Sequence, residues 1–155
     1  MSINELSISD ITGFISAIFS ILALFISIIT FNKVDRQNRS LIVSDILKEI
    51  NNDDEVMDMF YKIDWNHFKF DPISFPRSDE QRKLDKLLIN LSIGSTLYEN
   101  KTIRISDILP LIYFIKRVTN NEHVMNYIYL IQKSEILTGL KNHSLDALVR
   151  VSKKI

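Results

Sequence analysis

Between Trp65 and Arg77 the chain gathers flat rings and cations: Trp65, Phe68 and Phe70, with Lys69 and Arg77. Such rings stack on nucleobases and such cations neutralise phosphate, so the cluster has the chemistry of a nucleotide-binding loop. Arg82, Lys83, Lys86, Lys101 and Arg104 extend the set of phosphate-binding candidates, and Lys116 and Arg117 follow further on. The same residues have a plainer reading. The aromatics then plug the end of a small helical bundle and the cations lie on solvated faces. Spacing alone leaves both open.

Other chemistry is harder to assemble. His67, His123 and His143 are not at metal-ligand spacing, and no HExxH is present. The chain has no cysteine, which excludes disulfides, zinc thiolates and thiol nucleophiles, and its 3 glycines do not form a phosphate-cradling loop. Asp53-Asp54-Glu55 lacks the glycine and later glutamate of a calcium loop and reads as a helix start. Asp64, His67 and Ser74 include the residue types of a catalytic triad, without a nucleophile elbow to arrange them. The expectation is no catalytic residue, no metal and no cofactor.

What must position these residues begins with a different signal. Residues 11–31, ITGFISAIFSILALFISIITF, are 21 residues without a charge. At ~1.5 Å per residue they make a helix of about 31 Å, the thickness of a bilayer core. A helix apolar on every face needs a larger core than a chain of 155 residues builds, so lipid is its expected partner. It reads as an anchor rather than a secretory signal. The preceding tail carries Glu5 and Asp10 and no cation, and no small-residue cleavage site follows. Lys33, Arg36 and Arg39 come next, and the positive-inside rule predicts a cytoplasmic C-terminal domain in a bacterial inner membrane.

Within this segment Gly13, Ser16, Ser20, Ala23, Ser27 and Thr30 recur at alternating spacings of three and four. Small residues let helix backbones approach in lipid, and hydroxyls bond across such an interface. The stripe predicts a homo-oligomer, and in a tetramer or pentamer it could face a narrow lumen. The competing reading is that the hydroxyls bond back to their own helix.

The expected organisation is a short external tail over 1–10, a transmembrane helix over 11–31, a helical stalk over 32–50 and a cytoplasmic helical domain over 51–155. Only 3 Gly and 3 Pro favour helices over a barrel or sandwich. The stalk presents Leu41, Ile42, Val43, Ile46, Leu47 and Ile50. Asn52 with Glu55 is a near capping box for a helix to about Asn66. Ser78 with Gln81 is a second, opening a helix over 79–100 in which Leu84, Leu87, Leu88, Leu91, Ser95 and Tyr98 keep a 3.6 period. Gly94 and Ser95 mark a place for a close helix crossing. Ser106 or Asp107 caps the next helix, with Pro110 in its first turn. Thr119 with Glu122 is a third box, Gly139 interrupts or ends that segment, and Ser144 caps a last helix over 145–154. Removing Glu5 and Asp10 from the 19 acidic residues leaves 17 against 19 basic, a net of +2 beyond the tail. That balance argues against duplex nucleic acid as a partner.

Ile63-Asp64-Trp65, Ser78-Asp79-Glu80, Leu84-Asp85-Lys86-Leu87-Leu88, Leu97-Tyr98-Glu99-Asn100, Asp107-Ile108 and Asn126-Tyr127-Ile128 together give residues 10–132 a recognisable pattern. It resembles a group of small bacterial proteins of unknown function, each with one N-terminal membrane helix and a cytoplasmic helical bundle. Some proteins of that layout lie beside anti-phage systems, including membrane effectors of type III CRISPR immunity that respond to cyclic oligoadenylate. The resemblance implies the architecture and that setting, and transfers no catalytic residue. An Ile-, Asn- and Lys-rich composition fits an AT-rich bacterial genome. The expected function is a non-enzymatic, membrane-anchored interaction or signalling module with a cytoplasmic protein partner. The alternative is a membrane-disrupting effector gated by a cyclic nucleotide.

Overall fold

A computed structural model describes residues 8–139 and 145–155, and the side chains of these apart from 8–12 and 14. The first seven residues of the expected tail, His143 and the Ser144 cap lie outside the described residues. Among the described residues the secondary structure is all helical: α1 (Ile8–Asn52), α2 (Asp54–Asp64), α3 (Asp79–Glu99), α4 (Ile105–Asn120), α5 (Glu122–Leu137) and α6 (Asp146–Lys154). The chain forms two compact units, Met1–Asn38 and Arg39–Ile155, and α1 contributes residues to both. The second half of the expected stalk, from Arg39, therefore belongs to the bundle.

In the first unit every described side chain from Ile15 to Phe31 is exposed. None of the apolar window of α1 is buried, and the helix is long and apolar enough to cross a membrane.

The second unit is a helical bundle whose central rod is α3, packed against α2, α4 and α6. Leu84, Leu87, Leu88 and Leu91 lie on one stripe because three- and four-residue steps return to the same helix face, and all four are buried. They meet Ile46 and Ile50 of α1, Met59 and Ile63 of α2, Ile108, Leu111 and Ile115 of α4, Val124 and Ile128 of α5, and Leu148 and Val151 of α6 in one core. The predicted close crossing occurs at Gly94. A Cβ there would lie 2.8 Å from Leu111 Cδ1, so any larger residue would make the Leu111 side chain shift. Ser95 is buried beside it and donates to the Leu91 carbonyl at 2.8 Å.

Helix boundaries differ from the sequence expectation in instructive ways. α1 runs on to Asn52, and Asp53 rather than Asn52 caps α2, accepting from the N–H groups of Glu55 and Val56 at 3.0 and 3.2 Å. A carboxylate spanning two orphan donors is a better cap than an amide holding one. Leu41 and Ile42 are exposed, so the stalk's inward stripe narrows to Val43, Ile46 and Ile50, with Leu47 partly covered. Ser78 caps α3 as expected, but Gln81 turns its carbonyl oxygen to the N–H of Arg77. Neither Ser106 nor Asp107 is the cap of α4. The helix starts at Ile105, Asp107 accepts from the Arg104 N–H at 2.9 Å, and Pro110 falls one turn later than expected. The third box is not formed either. Thr119 Oγ1 donates back to the Ile115 carbonyl, α4 continues to Asn120, and Asn121 caps α5. Gly139 (φ 82°) lies just past α5 in the left-handed region that glycine occupies freely.

Candidate functional site

The predicted ligand residues are distributed over three places. Trp65 is exposed at the end of α2, its ring stacked on Tyr61 with centroids 5.5 Å apart and His67 at its edge. Phe68 is not available to a ligand. It is 2% exposed and packs edge-on against Phe75. Phe70 and Phe75 in turn pack on Tyr127, so this half of the aromatic loop plugs the bundle. Lys69 is exposed.

Arg77, Arg82 and Lys86 line one groove of about 510 Å³ with Ser78, Asp79, Gln81, Asp85 and Ile89. Here the cations answer carboxylates of the same protein. Arg82 makes a two-pronged pair with Glu55 at 2.8 and 3.0 Å and a further bond to Asp79 at 3.0 Å. Lys86 reaches the capping carboxylate Asp53 at 3.1 Å, and Lys83 lies 3.8 Å from Asp79. The Arg82 guanidinium holds the Glu55 and Asp79 carboxyls below their usual range, and Lys86 does the same for Asp53. These ties staple the N-terminal turns of α3 to the start of α2.

Lys101 and Arg104 lie beyond the other end of α3. With Tyr98, Glu99, Ile103 and Lys154 they line a separate groove of about 450 Å³. Arg82 and Lys101 are nineteen residues apart, and most of that interval is helix, so one ligand of nucleotide size does not span them.

The triad residue types are not brought together. Asp64 accepts from the Tyr113 hydroxyl at 3.1 Å and pairs with Arg117 at 2.7 Å, Ser74 donates to Asp71 at 2.6 Å, and His67 lies against Trp65. Lys116 donates to the Ser152 carbonyl. Among the described residues no three His, Asp or Glu side chains form a metal-holding group.

Two polar connections were not legible in the sequence. Arg39, read as a membrane-flanking cation, is 8% exposed and its Nε donates to Asp107 at 3.1 Å. Asp107 is held below the usual carboxylate range, first by the Arg104 N–H and then by Arg39. The second is a chain in which Gln81 Nε2 donates to the Tyr127 hydroxyl at 2.9 Å and Tyr127 donates to Asp85 at 2.7 Å. Burial raises the Asp85 pKa above its usual value, and burial followed by the Asp85 contact raises that of Tyr127. The only sequence trace was Gln81 and Asp85 at i, i+4 on one face of α3.

In the small-residue stripe, Gly13, Ser16, Ser20, Ala23, Ser27 and Thr30 are all exposed. Ser20 Oγ donates to the Ser16 carbonyl at 2.9 Å, which is the back-bonded arrangement. A Cβ on Gly13 would meet nothing within 4 Å.

No family model matches this chain, and neither a curated protein nor a solved structure does.

Proposed function

We propose that the protein is a single-pass membrane-anchored, non-enzymatic interaction or signalling module that self-associates. Its α1 apolar segment crosses the bacterial inner membrane and its bundle lies on the cytoplasmic side, where it meets a protein partner. The supporting observation is that every described side chain of the charge-free segment is exposed, with a separate bundle that has its own core. An apolar surface of that length is stable where lipid covers it. Lys33 and Arg36 follow it and are exposed, as the positive-inside rule requires of a cytoplasmic flank. The resemblance set out above supplies the proposed setting, defence against phage.

Self-association rests on the small-residue stripe. Back-bonding by Ser20 is compatible with it, because a hydroxyl satisfied within its helix still leaves a narrow side chain and a close approach. Native mass spectrometry of the detergent-extracted full-length protein tests this. A discrete oligomer is expected, converting to monomer in the S16L/S20L double variant. A monomeric wild type, or an unchanged oligomer in the variant, overturns it.

The second reading, a cyclic-nucleotide-gated effector that disrupts the membrane, is favoured by one observation, the convergence of Arg77, Arg82 and Lys86 on one groove. Arg82 and Lys86 are already paired there, so a phosphate must displace Glu55, Asp79 or Asp53 to bind.

A further inference from the structure

The two ends of α3 differ in how their charges are matched. Where α2 and α3 start, carboxylates and cations answer one another: Asp53, Glu55, Asp79 and Glu80 are paired with Lys86, Arg82, Lys83 and Lys62. Beyond the C-terminal end of α3 cations are in excess. Lys101, Arg104 and Lys154 share one groove, and Lys153 lies in the last turn of α6. The carboxylates at this end are engaged. Glu99 pairs with Arg150 at 2.7 Å and Lys154 at 3.5 Å, and Asp107 serves Arg39 and the Arg104 N–H. Lys101 and Arg104 form no ion pair among the described residues, and Ile105 beside them is exposed.

This end is also where the chain enters the bundle unit. Arg39 is the first residue of the bundle unit, and its bond to Asp107 places the first turn of α4 beside it. Only seven residues separate Arg39 from Phe31, the last residue of the charge-free segment. The basic end is therefore the end of the bundle at which the chain that follows the apolar segment enters it.

We propose that Lys101, Arg104 and Ile105 form a docking surface for the anionic phospholipid headgroups of the bilayer that holds α1. Phosphate oxygens meet the two free cations, and Ile105 enters the boundary between headgroups and acyl chains. The inference rests on the membrane reading above. It adds that the bundle lies against the leaflet and that lipid charge controls this contact.

The absence of cysteine allows a single reporter to be placed in the full-length chain. T102C carries a fluorophore at the proposed surface, and I73C, at a 91% exposed loop position, carries it as a control. Both are reconstituted in vesicles of phosphatidylcholine alone or with 30 mol% phosphatidylglycerol, each containing a headgroup-level spin-labelled quencher (~30% is a typical anionic fraction chosen to give a strong surface potential). Quenching at position 102 is expected to be at least about five-fold greater with phosphatidylglycerol, the factor expected from a single cation at an anionic surface. Position 73 should not respond. K101E/R104E should remove the difference, K101Q/R104Q should reduce it, and about 0.5 M salt should suppress it in the unmodified pair of cations. Equal quenching in the two lipids, or a difference that survives charge reversal, overturns the docking surface. Vesicle flotation is read on the same samples. A chain that fails to float overturns the anchor and this inference with it, whereas one that floats without lipid-charge dependence overturns the inference alone.

Discussion

The Nε of Arg39 donates to the Asp107 carboxylate at 3.1 Å across 68 residues of sequence. Their side chains are 10% and 12% exposed, so this pair is shielded from solvent where the bundle begins. It joins the first residue of the bundle's share of α1 to the first turn of α4.

D107N removes the carboxylate charge from a pair shielded from solvent. It should cost about 1–3 kcal/mol at neutral pH, the range for a hydrogen bond to a charged group, seen as a lowered melting temperature by circular dichroism in detergent. The pH dependence has a definite sign. Asp107 has a depressed pKa in the folded protein, so its contribution is present above the unfolded value of 3.8 and is lost as pH falls through the folded one. The gap between wild type and D107N should close in acid. A gap independent of pH would mean that the carboxylate charge is not what stabilises this joint.

Asp85 should behave in the opposite sense. Its folded pKa is raised by burial, so the folded protein holds a proton there more tightly than the unfolded chain does. The stability it contributes is present at low pH and declines as pH rises from 3.8 through the folded value. D85N should flatten that decline and melt no lower than wild type at pH 7. Y127F removes the hydroxyl that donates to Asp85 and accepts from Gln81, and should cost about 1–2 kcal/mol. Melting curves of the three proteins at pH 4, 5.5 and 7 check both statements; a D85N curve parallel to wild type refutes the first.

Periodicity made the bundle legible and stopped at its ends. Leu84, Leu87, Leu88 and Leu91 announce α3 because a helix stripe repeats, and the small residues at 94 and 95 announce its crossing. Caps were misplaced where neighbouring candidates are equivalent in sequence. Asn52 and Asp53 differ only in which side chain meets two backbone donors at once. The aromatic loop has no period, so nothing in the order of residues distinguishes buried Phe68 from exposed Trp65. In sequence Arg39 has the look of a flanking charge for the same reason. Its partner is 68 residues away, and a burial that depends on a remote partner leaves no local mark.

Lys101 combines a structural cost with a proposed use. It has φ 59° and closes α3 with the Thr102 N–H bonded to the Leu97 carbonyl at 2.9 Å and its own N–H to that of Tyr98 at 3.1 Å. Helices that end this way usually place glycine at that position, because a Cβ in the left-handed region is strained by roughly 1 kcal/mol. K101G should therefore raise the melting temperature by about 4 °C, in line with ~1 kcal/mol for a domain of this size. The same substitution removes a cation from the proposed headgroup surface and should lower the lipid-charge-dependent quenching at position 102 by about five-fold. A gain in stability accompanied by a loss of lipid response is the joint outcome expected. If K101G is more stable and its response to phosphatidylglycerol is intact, lysine at this turn is not there for the membrane.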